Sequence, residues 1–299
     1  MTIAGRDGAR IADLLAAAGL GRAEALTSLA GTGNRTFAAT GAGFDAVVRL
    51  PGDDTGSLVD RHAERANAEA AAALGVAPAV LYGDPADGAM VMARAPGSPI
   101  APAPAAGRSD ALARLGACLA RLHRGPAFEG RMDPWQKVDA YLARAGLRRG
   151  DDADAFGRMW PAVAALRARA GLRLDMLAPC HIDPIPANAI DDGARVLLVD
   201  WEYSAMSTPL WDLAYVCVEG ALDGGEVAAL LQGYGDPSVT PERLRDWRTV
   251  AAVVSAAWCM ARVALGDAAQ WRGEVANRLA ALAADLDDGA AQHGAGDGQ

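Results

Sequence analysis

CHIDPIPANAI, residues 180–190, and VLLVDWEYS, residues 196–204, decide how this chain is interpreted. Asp183 lies five residues before Asn188, and Asp200 lies twelve residues after Asn188. The stretch between Asn188 and Asp200 contains an Asp-Gly pair flanked by apolar residues, which predicts a β-hairpin. A hairpin at this point would bring Asn188 and Asp200 close together at its open end.

These residue types suit phosphoryl transfer. The pattern His-x-Asp-x-x-x-x-Asn followed by a further Asp is the layout used by kinase-like folds, in which the first Asp accepts the proton of the substrate hydroxyl. Carboxylate and amide oxygens are the ligands that Mg²⁺ prefers. We therefore predict Asp183 as the catalytic base, Asn188 and Asp200 as metal ligands, and His181 as an anchor of the loop. The alternative is an ordinary loop stiffened by Pro184 and Pro186.

Composition narrows the class of protein. The chain has 299 residues, of which 52% are hydrophobic, so it can form one large domain or two lobes. A net charge of −9 argues against a protein that binds nucleic acid through its phosphates. The four cysteines form no CxxC pair, which favours reduced packing residues in a cytoplasmic protein. We expect no signal peptide and no membrane insertion. Lys137 is the only lysine in the sequence.

The chain divides into two differently patterned parts. Residues 1–94 contain a helical pattern at 8–21 and then a β-β-α-β-β order, mostly antiparallel. Residues 95–107 are rich in Pro, Ala and Gly and mark a boundary. Helical patterns dominate from there to about residue 286, and we expect a disordered tail at 287–299. The sequence therefore predicts an α+β fold with two lobes, 1–94 and 95–299.

The N-terminal part offers an independent test of the kinase-like interpretation. GTGNRT, residues 31–36, supplies Gly31, Gly33 and Asn34 in a turn whose backbone N–H groups could face phosphates, although the third glycine of GxGxxG is missing. Arg49 lies where a strand lysine is expected, and its guanidinium can bind phosphate oxygens. Glu69 and Glu64 compete as its acidic partner on the next helix. We predict Glu69, because it lies on the small-residue face of that helix.

The chain resembles the choline/ethanolamine kinase family, which belongs to the aminoglycoside phosphotransferase-like branch of the protein-kinase fold. HIDPIPANAI, VDWEYSAMSTPLWDLAYVCVE, LAGTGNRTF and VVRLPG carry the resemblance, which runs from about residue 26 to 265 and is strong over 180–220. It implies a protein-kinase-like two-lobed fold, ATP and Mg²⁺, and phosphoryl transfer to an alcohol. It also implies that Asp212 braces the catalytic loop and that Met92 to Arg94 form the hinge that contacts adenine.

The same resemblance suggests an acceptor pocket. A quaternary ammonium donates no hydrogen bond, so its recognition needs aromatic faces and unpaired carboxylates. Tyr203, Glu219 and Trp258 match pocket positions of the family, and we predict them and Glu202 as acceptor-side residues. For Glu202 the sequence leaves open whether it hydrogen-bonds near the metal site or caps a strand. Only one tryptophan is present where the family places several, which weakens the expectation for choline itself. The alternative for Trp258 is a role in the apolar core.

The leading hypothesis is an ATP-dependent kinase of a small cationic alcohol, with choline or ethanolamine first. Thiamine, an aminoglycoside or another hydroxylated amine is the alternative acceptor. The rival from another class is a catalytically silent kinase-like binding protein, which Arg49 and the incomplete glycine pattern favour. The sequence leaves the oligomeric state open, with a homodimer among the alternatives.

Overall fold

The computed structural model describes residues 5–29, 34–52, 59–84, 86–101, 105–146 and 151–294. Its N-terminal part holds a small antiparallel sheet with two helices. The elements are α1 (Gly5–Ala17), β1 (Ala23–Leu29), β2 (Arg35–Gly41), β3 (Phe44–Leu50), α2 (Arg61–Ala73), β4 (Val80–Gly83) and β5 (Met90–Ala93). Three strands precede α2, so the predicted β-β-α-β-β order lacked one strand.

The sheet places β3 at its centre, because the strand order is β1-β2-β3-β5-β4. Arg49 on β3 is paired in register with Thr36 of β2 on one side and Met90 of β5 on the other. Ile11 and Leu14 of α1 pack on the apolar face of the sheet with Val48 and are fully buried or nearly so. Backbone hydrogen bonds on both edges of β3 therefore fix the position of Arg49.

The C-terminal part is mostly helical. Its elements are β6 (Ser98–Pro99), α3 (Arg108–His123), α4 (Pro134–Ala145), α5 (Asp151–Arg169), β7 (Ala178–Cys180), β8 (Ala189–Asp191), β9 (Val196–Leu198), β10 (Ala205–Ser207), α6 (Pro209–Glu219), α7 (Gly224–Tyr234), α8 (Pro241–Arg262) and α9 (Ala268–Gly294). The predicted α+β class, with an antiparallel N-terminal lobe and a helical C-terminal lobe, is confirmed.

Two of the expected boundaries have a more specific outcome. The Pro/Ala/Gly segment 95–107 contains the short strand β6, which pairs with β8 of the predicted hairpin; residues 102–104 lie outside the described range. The backbone of α9 is helical to Gly294. Residues 287–294 are therefore helical, contrary to the expected disorder. Residues 295–299 lie outside the described range, so disorder there and the division at residue 94 stay predictions.

Glycines permit the close contact between α3 and α7. A Cβ atom at Gly116 of α3 would overlap the backbone oxygen of Leu230, and one at Gly233 of α7 would overlap the backbone oxygen of Ala113. Any larger residue would have to push the two helices apart. This contact positions α3, whose last residue His123 lies 3.1 Å from the Asp212 carboxylate.

The segment Pro241–Gly266, which includes α8, has the length and hydropathy of a membrane span, and 61% of its most apolar window is buried inside the protein. Val250, Val253 and Ala257 are among the residues with no exposed surface. Such burial is typical of a core helix, and it accounts for the apolar composition without a membrane.

Candidate active site

The predicted hairpin is present and brings Asn188 and Asp200 close together. β8 and β9 are antiparallel, with Ala189 opposite Leu198. The Val199 amide donates to the Asn188 carbonyl oxygen at 2.9 Å, so the backbones of Asn188 and Asp200 leave the hairpin side by side. In the turn, the Asp192 carboxylate accepts the amide hydrogen bonds of Ala194 and Arg195 at 2.8 Å.

Asp183 and Asn188 are hydrogen-bonded to each other. The Asn188 side-chain nitrogen donates to the Asp183 backbone oxygen at 3.0 Å and to Asp183 Oδ2 at 3.1 Å. A single turn of 3-10 helix, Pro186–Asn188, brings the amide back to the carboxylate. Because the amide nitrogen makes both bonds, Asn188 Oδ1 is the atom that could bind a cation.

Asp212 is fully buried at the start of α6 and holds the catalytic loop by its backbone. Its carboxylate accepts hydrogen bonds from the amides of His181 at 2.8 Å and Ile182 at 2.9 Å, and it lies 3.1 Å from His123 Nε2. Trp211 Nε1 donates to the Ile182 oxygen at 2.9 Å. Ile182 has a φ of 75°, an unfavourable value for a β-branched residue. The contacts of Asp212 and Trp211 offset that strain.

His181 is buried and uncharged. Burial lowers the pKa of its imidazole to about 4, although Asp212 acts in the opposite direction. Its Nε2 atom lies 3.0 Å from the Val199 backbone oxygen, and its ring meets Trp201 edge-on at 4.6 Å between centroids. This packing agrees with the predicted anchoring role, in which the ring joins the loop to β9.

Asp200 has the properties of a cation ligand. It adopts a φ of 66°, and its Oδ1 atom is buried without a hydrogen-bond partner among the described residues. Burial and the charge of Glu202 raise its pKa to about 7. Burial and then the charge of Asp200 raise the pKa of Asp183 to about 8. A buried carboxylate oxygen with no donor, beside further hard oxygens, fits Mg²⁺.

Arg49 forms its buried ion pair with Glu64, so the prediction of Glu69 is wrong. The Arg49 guanidinium binds both Glu64 oxygens, with 3.0 Å between Nη2 and Oε2, and also donates to the Gly88 oxygen at 2.8 Å. Glu69 is exposed and pairs with Arg65 on its own helix at 2.8 Å.

The buried face of α2 explains this correction. That face consists of Ala63, Glu64, Asn67, Ala68 and Ala71. The spacing is helical and includes two polar residues, whereas the small residues Ala66 and Ala70 lie beside it. Choosing the acid by its small neighbours therefore selected the wrong side of the helix.

Glu202 joins the two lobes. Its Oε2 atom accepts a hydrogen bond from Asn34 Nδ2 at 2.9 Å and lies 3.4 Å from Arg61 Nη1. Arg61 also contacts Glu64 at 2.7 Å, so a chain of charges links α2 to the segment after Asp200. Glu202 thus contacts side chains of the nucleotide side, and its contact with the acceptor stays a prediction.

The remaining nucleotide-side predictions are only partly described. Gly31 and Gly33 lie outside the described residues. Met92 is half-buried on β5 between Val47 and Val80, and Arg94 is exposed, 3.6 Å from Asp45. Their proposed contact with adenine stays a prediction.

Internal groups of the chain already contact two of the predicted acceptor-side residues, Tyr203 and Glu219. Lys137 Nζ lies over the ring of Tyr203, 4.6 Å from the centroid. Glu219 accepts two hydrogen bonds from Arg278, at 2.6 and 2.9 Å, and a third from Ser255 Oγ. The expectation of an unpaired carboxylate at Glu219 is therefore wrong.

Trp258 is half-buried rather than fully in the core. Its ring meets Trp271 of α9 edge-on, with 4.7 Å between centroids. The pair lies at the junction of α8 and α9, one turn from Ser255 and so close to Glu219. Trp271 and Arg278 could not be predicted as neighbours of these residues, because α9 carries no motif of its own.

Comparisons with known proteins agree with this geometry. The model of the Phosphotransferase enzyme family matches residues 26–253. A choline/ethanolamine kinase family protein from Mesorhizobium loti has a similar structure, with a TM-score of 0.77, 29% identity and 94% of each chain covered. Choline kinase LicA from Streptococcus pneumoniae has a TM-score of 0.78 at 20% identity, with 95% of this chain and 100% of that chain covered.

A curated relative matches over a shorter region. Protein LicA of Haemophilus influenzae is 37% identical over 59 residues, which are 20% of this chain and only 22% of the length of that protein. The resemblance inferred from the sequence and the kinase-like fold are both confirmed by the family and structural matches.

Proposed function

Because the chain belongs to the Phosphotransferase enzyme family, we propose that it transfers the γ-phosphoryl group of ATP to the hydroxyl of a small amino alcohol, with choline and ethanolamine as first candidates. The observation that carries this proposal is the arrangement around the hairpin. Asp183, Asn188 and Asp200 converge there, and the Asp212 carboxylate holds the loop through its backbone amides. The names of the structural neighbours, which include an ethanolamine kinase of Plasmodium vivax, support the choice of acceptor.

Each catalytic group has a distinct task in this proposal. The acceptor oxygen forms a bond to the γ-phosphorus while the bond to the β–γ bridging oxygen breaks, and the hydroxyl proton passes to Asp183. Asn188 and Asp200 would hold Mg²⁺, which neutralises phosphate charge when bound. His181 and Asp212 position the loop without touching the reacting atoms.

The nucleotide would lie against the N-terminal sheet. Arg49 takes the place of the usual strand lysine, and its bidentate pair with Glu64 fixes the direction of the guanidinium. The turn that contains Gly31, Gly33 and Asn34 would cover the phosphates. Met92 and Arg94 would flank the adenine, as the family resemblance implies.

A cytoplasmic location is part of the same proposal. All four cysteines are unpaired and buried. Burial raises the pKa of Cys118 and Cys217 to about 12, so both thiols stay protonated and unreactive. Reduced thiols of this kind are typical of proteins in a reducing compartment.

An ADP-release assay tests the function directly. Wild-type protein is assayed with ATP and Mg²⁺ on choline, ethanolamine, thiamine and kanamycin, with a no-acceptor control and a parallel series in EDTA. We expect saturable, metal-dependent turnover on an amino alcohol. Turnover on thiamine or kanamycin alone would replace the acceptor class. Nucleotide binding without turnover on any of the four would favour the silent binding protein instead.

A further inference from the structure

Lys137 lies on the acceptor side of the catalytic loop. It belongs to the first turn of α4 and is half-buried, with its ammonium group over the Tyr203 ring at 4.6 Å from the centroid. Asp183 and Glu202 are the negative groups that act on it. The proposed mechanism does not use this cation, although it is the only lysine in the chain.

Three tyrosines lie close enough to Asp183 for its charge to act on them. Tyr141, one turn later on α4, and Tyr215 of α6 both have a raised pKa, chiefly because they are buried and next because of the charge of Asp183. The pKa of Tyr203 is raised by burial and then by the charge of Glu202. Asp183 therefore lies among three phenol groups, with Lys137 as the internal cation that partly neutralises it.

At two of the predicted pocket residues, Tyr203 and Glu219, a quaternary ammonium would find the aromatic face and the carboxylate already occupied. Because such a group donates no hydrogen bond, it depends on an aromatic face or an open carboxylate. The aromatic face of Tyr203 carries Lys137. The Glu219 carboxylate has Arg278 on both oxygens. A primary ammonium has three N–H donors, so it can bind phenol and carboxylate oxygens without displacing Lys137.

We propose that Lys137 is a specificity-determining residue, which covers the ring of Tyr203 and thereby selects a primary-amine acceptor over a quaternary ammonium. This inference rests on the proposed function for the identity of the acceptor. Its physical content is separate, because a tethered cation and a soluble quaternary cation compete for one aromatic face whether or not phosphoryl transfer follows.

Binding of tetramethylammonium chloride tests this competition without any turnover. The ion has a quaternary head and no hydroxyl, so it cannot be a substrate. Its affinity is measured by NMR titration for wild type, Lys137→Met, Lys137→Arg and Arg144→Met. Arg144 is an exposed cation on the same helix, so its loss changes net charge equally. We expect Lys137→Met to bind at least about tenfold more tightly than wild type. The other two variants should bind as wild type does.

Equal affinity in Lys137→Met and wild type would overturn the proposal, as would an equal gain in Arg144→Met, which would indicate net charge alone. If Lys137→Met does not fold, Lys137→Gln is used in its place.

In the activity assay, the ratio of kcat/KM for ethanolamine to that for choline should fall at least about tenfold in Lys137→Met. Loss of kcat on both acceptors with unchanged tetramethylammonium affinity would instead assign Lys137 to the transfer step. A wild type inactive on every acceptor would contradict the proposed function, while the binding data would still decide the role of Lys137.

Discussion

The nucleotide side and the acceptor side of the cleft are built in different ways. On the nucleotide side, Asn188 and Asp200 are placed by a hairpin, and Arg49 is placed by the central strand of a sheet. On the acceptor side, Tyr203 lies between β9 and β10, and the other side chains come from α4, α6, α8 and α9, which are far apart in sequence. Regular backbone hydrogen bonds position the first set, whereas only tertiary packing positions the second.

The two sides also differ in how their charges are balanced. Among the residues that the structure describes, no donor reaches the buried Oδ1 atom of Asp200, and its neighbour Asp183 has a raised pKa, so this side gains from a bound cation. On the acceptor side, Lys137 and Arg278 already supply the positive charges. The nucleotide side therefore favours binding of an external cation, whereas the negative charges of the acceptor side are neutralised by cations of the chain itself.

The sharpest test of this contrast is the residue where the two sides meet. Asp183→Asn removes the proton acceptor but keeps the shape of the side chain. We expect kcat to fall roughly 10²- to 10⁴-fold, with the Kd for MgATP near the wild-type value, because the base acts only during transfer. Asp175→Asn, an exposed aspartate paired with Arg173, is the control and should keep full activity. An unchanged kcat in Asp183→Asn would remove this residue from the role of base.

Glu64→Ala should disrupt the nucleotide side and leave the acceptor side unchanged. Removing one partner of the buried pair leaves Arg49 uncompensated, which costs about 3–5 kcal/mol of the free energy of unfolding. Urea unfolding measures that loss. Glu69→Ala, which removes an exposed acid from the same helix, should change stability by no more than about 0.5 kcal/mol. We also expect Glu64→Ala to raise the KM for ATP more than the KM for the acceptor. Equal losses in the two variants would contradict the assignment of Glu64.

The pH dependence should separate the free and the nucleotide-bound states. The pKa of Asp183 is raised to about 8, by burial and then by Asp200. The base must be deprotonated, so activity should rise with pH through that pKa. A cation bound to Asp200 would remove much of the repulsion between Asp200 and Asp183, and so lower the pKa of Asp183. The acid limb of kcat, which reports the bound state, should therefore lie at lower pH than the limb of kcat/KM for MgATP. Coincident limbs would show that Asp200 does not couple to Asp183.

The catalytic loop was predictable because its chemistry is local. The spacing from Asp183 to Asn188 and the Asp-Gly turn determine a hairpin whatever the rest of the chain does. One strand of the N-terminal sheet escapes the sequence prediction because LTSLAGTGNRTFAAT, residues 26–40, has the composition of a single strand, whereas β1 and β2 lie on either side of residues 30–34. The glycines there had been assigned to phosphate binding, although they also separate two strands.

The acceptor side was less predictable, because its pairings join distant segments. Glu219 and Arg278 are 59 residues apart, and no periodicity links them. Glu64 was recoverable in principle, since Glu64, Asn67, Ala68 and Ala71 repeat at helical spacing. A polar residue within a buried stripe indicates a buried partner, and that signal outweighs the presence of small neighbours.

The single lysine has a consequence for chemical labelling. Amine-selective reagents act on the uncharged amine, and burial lowers the pKa of Lys137 to about 8. Apart from an α-amino group, this chain offers such reagents one side-chain target, and that target faces Tyr203. An acylating or reductive-methylating probe would therefore place its mark beside Asp183, and the extent of labelling would report how far that part of the cleft is shielded.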